Sequence, residues 1–128
     1  MSTWFILLAM VFLHVIDDYC LQAPSLCNLK QRSWWEQNAP GKFYANDYLW
    51  ALFMHGFSWS FMVMLPIAVV LNFNVDINFF LMVVINAVFH AGIDDLKANK
   101  HRINLWMDQI CHMGQIVCTL VLYALEVF

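Results

Sequence analysis

Three of the five histidines stand four residues from an aspartate: His14 with Asp18, His90 with Asp94, and His112 with Asp108 in reversed order. On an α-helix that spacing puts both side chains on one face. Imidazole nitrogen and carboxylate oxygen together suit Zn²⁺ or another first-row divalent ion. With His55, these six residues supply more than enough ligands for one ion, and enough for two ions ~3.5–4 Å apart. A ligating histidine passes its other N–H to a neighbouring polar group, a part that Asp17, Gln22, Asp95 or Gln109 would take. An open coordination position would bind water and lower its pKa toward ~7, making hydroxide available for attack on an ester, amide or phosphoester. His55 then reads as ligand or general base, and Lys97, three residues beyond Asp94, as the holder of a substrate anion.

The elements that must carry these groups are not those of a soluble domain. Of 128 residues, 62% are apolar and 12% charged, against about half and about 25% in soluble proteins. The length allows a single domain, 1–128. Apolar runs at about 3–23, 47–71, 77–96 and 103–127 are each long enough to cross a bilayer as a helix, so the fold class is all-α, a polytopic bundle of four transmembrane helices. The first run is too long for a signal-peptide core, lacks a basic leader, and carries His14, Asp17 and Asp18 where a cleavable signal would be apolar. The polar segment at about 25–40, with Trp34 and Trp35, reads as a short helix at headgroup depth. Six Lys plus Arg against nine Asp plus Glu leave no basic surface for nucleic acid. Membrane lipids are the expected surroundings, and a homo-oligomer is left open.

Charge placement sets the expected orientation. Lys30, Arg32 and Lys42 lie between spans one and two, and Lys97, Lys100 and Arg102 between spans three and four, while the loop between spans two and three has no basic residue. The positive-inside rule therefore puts both basic loops in the cytoplasm and both termini outside. At ~1.5 Å per residue, His14 lies about 12 Å from the cytoplasmic end of its span, His90 about 10 Å, and Asp108 and His112 about 9 and 15 Å into theirs. Four spans thus deliver ionisable groups to one level, which a single buried polar site requires. Spans one and two, and spans three and four, also read as two similar hairpins, a parallel repeat about an axis along the membrane normal.

Other chemistries compete for the same residues. An intramembrane histidine can simply hydrogen-bond between helices, and His/Asp chains also carry protons in transporters. A proton- or ion-coupled transporter subunit and a non-catalytic protein whose polar cluster fixes packing are therefore the alternatives to a metal-dependent hydrolase. Cys20, Cys27, Cys111 and Cys118 do not read as a disulfide set, since most fall on the reducing side. No Walker loop, dinucleotide turn, G-x-S-x-G elbow or H-E-x-x-H helix is present.

The ordered set His14-x-x-x-Asp18-Tyr19-x-x-Gln22, His55, His90-x-x-x-Asp94-x-x-Lys97 and Asp108-Gln109-x-x-His112 resembles the domain of unknown function 3307 family of small bacterial and phage integral membrane proteins. That resemblance covers nearly the whole chain. It implies a multi-pass protein of the bacterial inner membrane whose polar motifs look like a metal site, and it implies no established activity. A fainter likeness, of type only, is to membrane-bound metal-dependent hydrolases regulated by the SOS repressor. The doubled acids depart from the pattern and leave open which of Asp17 and Asp18, and which of Asp94 and Asp95, faces inward. The Trp-rich stretch after Pro24 looks like an insertion. Taken together, the expectation is a hydrolase with a buried zinc site open to the cytoplasm, acting on a lipid or phosphoester-type substrate.

Overall fold

Where apolar runs are this long and their ends so plainly punctuated, helix boundaries follow from capping chemistry. Ser2 caps the first helix, α1 (Thr3–Ile16), its hydroxyl accepting from the Phe5 amide at 3.3 Å. Asp76 and Asn104 do the same for α5 (Ile77–Ala98) and α6 (Leu105–Ala124), each accepting at 3.0 Å from an amide three residues on. Each such cap is worth about 1 kcal/mol. Pro24 opens α2 (Pro24–Leu29) at a position where its missing N–H costs nothing, and it forces Ala23 into an extended conformation that ends the preceding helix. Between them and α5 lie α3 (Arg32–Asn38) and α4 (Asp47–Val70), the latter accommodating Pro66. This computed structural model describes residues 2–125, and it is entirely helical among those with regular structure.

Four stretches, Thr3–Leu21, Asp47–Val70, Ile77–Ala98 and Leu105–Ala124, have 19 to 24 residues and are apolar enough to cross a membrane. At ~1.5 Å per residue they reach roughly 28–36 Å, matching the ~30 Å of bilayer hydrocarbon. Span one stops before position 23 because of Pro24, and span three continues to Ala98 rather than 96. The last two positions expected in span four, 126 and 127, lie outside the described residues. Large apolar side chains such as Phe5, Leu8 and Phe12 on α1, Phe61 on α4 and Phe89 on α5 point outward. A surface of this kind is incompatible with water over such an area and fits lipid.

Around the bundle the spans run α1, α4, α5, α6, with α6 closing back on α1. The tightest seam is α4 on α5, where Gly56 lies against the backbone of Ala87 and Ser60 donates to the Val83 carbonyl at 2.7 Å. Small residues let two membrane helices approach closely, and their polar hydroxyls add interhelical bonds. The interior is stratified. One half is apolar, built from residues such as Met10, Val63, Ile67, Val83, Ile116 and Leu120. In the other half the buried side chains include His14, Asp17, Lys30, His55, His90, Asp94, Asp108 and His112. The segment at 25–40 forms two short helices, α2 and α3, rather than one, and they pack against the start of α4.

Candidate metal centre

Each span contributes to the polar half through a local feature of its sequence. In α1 the His14–Asp18 spacing sets one face, and the helix then widens into a π-helical turn over Asp17–Leu21, closed by the Gln22 amide bonding the Asp17 carbonyl at 3.1 Å. Such widened turns recur at functional sites. Here the widening turns two consecutive acids inward: Asp17 is buried and accepts from the Ser58 hydroxyl at 2.6 Å, while Asp18 lies 3.5 Å from both His14 and His55. In α5 only one of the two acids enters. Asp94 is buried at the centre, whereas Asp95 points away and pairs with Lys100 at 2.7 Å and with Asn99 at 2.9 Å.

His14 is already fully engaged. The Trp59 indole N–H donates to its Nδ1 at 2.7 Å, and its Nε2 faces the Gln109 side-chain oxygen at 3.2 Å. An accepting Nδ1 requires the proton on Nε2, so these two partners fix both tautomer and ring orientation. Gln109 in turn donates to Asp108 at 3.2 Å. Trp59 also stacks on His90 with centroids 4.3 Å apart, and His90 stacks on His112 at 4.1 Å. A column of three stacked rings therefore passes through the middle of the bundle.

His90 and His112 are in the opposite condition. Both are fully buried, and neither ring nitrogen of either has a hydrogen-bond partner among the described residues; Oδ2 of Asp17 and Oδ1 of Asp18 and Asp108 are likewise unpartnered there. A buried polar group left this way costs about 1–3 kcal/mol, so a cluster of them calls for partners that the described side chains do not supply. The spacings are informative. His112 Nε2 lies 3.6 Å from Asp94 Oδ1 and 3.5 Å from Asp108 Oδ1, and His90 Nε2 lies 3.9 Å from Asp94 Oδ1. Charge-assisted hydrogen bonds are ~2.7–2.9 Å, shorter than any of these. Two donors each ~2.0–2.1 Å from a tetrahedral ion stand about 3.3–3.4 Å apart, close to what is seen.

Two overlapping sets could hold an ion, His90–Asp94–His112 and Asp18–His55–His90, with all donor atoms in each set within 4.8 Å of one another. His90 belongs to both. His55 is buried with Nε2 3.6 Å from Asp94 and Nδ1 3.7 Å from Asp17, and its ring centroid is 5.0 Å from that of His90. The donor set, buried imidazoles and carboxylates with orphaned lone pairs, fits a divalent transition metal.

The site opens at one end through a cavity of 90 Å³ lined by Gln22, Lys30, Lys97 and Gln109 among others. Lys97 donates to Asp108 at 2.6 Å. Thus His14, Asp18, His55, His90, Asp94, Asp108, His112, Lys97, Asp17 and Gln109 come together, Gln22 lines the mouth and Asp95 does not take part. Sequence reasoning missed Lys30. Its side chain is buried and its ammonium donates to Asp94 Oδ2 at 2.6 Å. Asn99 straps it there, donating to the Lys30 carbonyl at 3.0 Å and accepting from the Arg32 amide at 2.7 Å. Trp59 was legible in principle, since it lies four residues beyond His55 on the same helix face; nothing in the spacing of Lys30 distinguishes it from an ordinary loop cation.

A family model described as protein of unknown function (DUF3307) matches residues 6–127, nearly the whole chain, and the protein belongs to that family. No curated protein and no solved structure matches it.

Proposed function

We propose that the buried cluster binds a divalent metal, zinc by the character of its donors, and that the protein is a metal-dependent hydrolase of lipid or phosphoester-type substrates in the bacterial inner membrane, with the site open to the cytoplasm. The observation that carries this reading is the set of orphaned nitrogens on His90 and His112, facing Asp94 and Asp108 oxygens at 3.5–3.9 Å. His90, Asp94, Asp108 and His112 would hold the ion. Bound there, it would supply Lewis acidity and a water of pKa near ~7. His55 is left as the proton acceptor at Nε2, with Asp17 and Asp18 placed to hold the resulting imidazolium. Trp59 and Gln109 keep His14 fixed beside the column, and the apolar half of the bundle excludes water from the far side.

Elemental analysis of detergent-purified protein tests this directly. About one or two transition-metal ions per chain are expected, together with cleavage of a fluorogenic phosphodiester or carboxylic ester in mixed micelles. A folded preparation that binds no metal would sink the reading and leave helix packing as the role of the cluster. Metal-independent dissipation of a pH gradient in liposomes would replace it with transport.

A further inference from the structure

Lys30 and Lys97 come from different elements yet flank one carboxylate. The Lys30 ammonium is 2.6 Å from Asp94 Oδ2, and the Lys97 ammonium is 4.0 Å from Asp94 Oδ1 while bonding Asp108 at 2.6 Å. Both line the 90 Å³ mouth, where the amide side chains of Gln22 and Gln109 accompany them. A buried lysine is costly and is found where a charge needs it, and Lys30 is only 6% exposed.

Charge balance says what the pair is for. Asp17, Asp18, Asp94 and Asp108 bring four negative charges and the two lysines two positive ones, so with neutral imidazoles the cluster carries two excess negative charges. One divalent ion cancels them. Once Asp94 and Asp108 are shared with that ion, the two ammonium groups no longer serve as their sole cationic partners. Each ammonium has three donors, and among the described residues each makes one hydrogen bond, to a carboxylate. Both side chains line the mouth, within reach of a ligand that could take the remaining donors.

We infer that the mouth is a subsite for a phosphoryl oxyanion, gripped jointly by Lys30 and Lys97, so that the substrate carries a phosphate group at the end that enters the site. This rests on the metal reading, because without the ion the excess negative charge would repel the same group. The phosphoryl chemistry is common to a lipid headgroup and to free phosphate.

Titration calorimetry of the zinc-loaded full chain in detergent tests the inference, with dodecyl phosphate and inorganic phosphate as separate probes and metal content measured on the same samples. Wild type is expected to bind dodecyl phosphate. Lys30→Gln and Lys97→Gln should each weaken binding at least about tenfold with metal content unchanged, and Lys30→Arg should restore most of it. The same lysine dependence with inorganic phosphate supports the subsite and marks free phosphate as a source, whereas binding of the amphiphile alone supports it and marks a lipid headgroup. Unchanged affinity in both glutamine variants, or equal binding of dodecanol, overturns the subsite while leaving the metal in place. Wild type that takes up no zinc and binds neither phosphate overturns the metal reading and the subsite together, whereas zinc-loaded wild type that binds neither overturns the subsite alone.

Discussion

Gly56 of α4 faces the carbonyl of Ala87 on α5 so closely that a Cβ at position 56 would meet its oxygen well inside 3.0 Å. The neighbour is backbone, which cannot swing aside, and His55 and His90 stand beside this contact. The close approach of the two helices is thus what brings imidazoles from α4 and α5 to 5.0 Å.

Gly56→Val is therefore expected to push α4 and α5 apart, at a cost of about 1–3 kcal/mol from overpacking, and to lower turnover by separating His55 and Trp59 from His90. Gly92, two residues before Asp94, faces open space: a methyl group there would meet no described atom within 4 Å. Gly92→Ala should accordingly be neutral or slightly stabilising through helix propensity. Thermal melts in detergent with turnover assays of both variants check this; equal behaviour of the two would refute the close-approach argument.

The histidines should not respond alike. His90→Ala and His112→Ala remove nitrogens with no other partner among the described residues and are expected to abolish metal binding at the His90–Asp94–His112 set. His14→Ala removes a ring whose two nitrogens are already held by Trp59 and Gln109. It should lower stability by roughly 1–3 kcal/mol, since the buried Trp59 N–H loses its acceptor, while much of the metal is retained. Competition of purified variants against a zinc chelator separates these outcomes.

His55→Gln asks whether that residue holds the ion or moves a proton. As proton acceptor its loss should cut turnover by about 10²–10⁴ with metal content intact; as ligand it should cut both. Elemental analysis alongside ester or phosphodiester turnover distinguishes the two.

How much of this was legible in the sequence depends on whether the information was local. Four spans could be read because hydrocarbon demands long apolar runs, and the His/Asp pairs could be read because the helical repeat places i and i+4 together. Which doubled acid faces inward was not legible. At Asp94 and Asp95 the ordinary helix selects one, but at Asp17 and Asp18 a π-helical turn admits both, and that turn depends on tertiary partners such as Ser58. Lys30 was illegible for the same reason: it reaches Asp94 across 64 residues of chain, held by Asn99.

The Lys30–Asp94 pair is buried on both sides, and removing one member of such a pair leaves an uncompensated charge worth about 3–5 kcal/mol. Lys30→Met in metal-free protein should be destabilised to that degree. Zinc should recover a large part of the loss, because the ion then neutralises Asp94 in place of the ammonium. Unfolding of the variant with and without zinc measures the recovery; an equal deficit in both states would show that the ion does not reach Asp94.

Orientation is the remaining link between this site and a cytoplasmic substrate. Five of the six Lys and Arg lie between the first two spans or between the last two, and Lys97 is in the last turn of the third; the mouth with Lys30 and Lys97 is at that same end of the bundle. The turn between α4 and α5 carries Asp76 and no cation. Insertion follows the Lys/Arg bias of short loops, so the mouth should face the cytoplasm. Cys20, Cys27, Cys111 and Cys118 are all exposed and must first be replaced by serine. In that background, Asn74→Cys should react with a membrane-impermeant maleimide on intact spheroplasts, and Lys42→Cys only after permeabilisation. The reverse pattern would turn the site toward the outer face, and a cytoplasmic phosphate-bearing substrate would then be excluded by topology whatever the chemistry of the cluster.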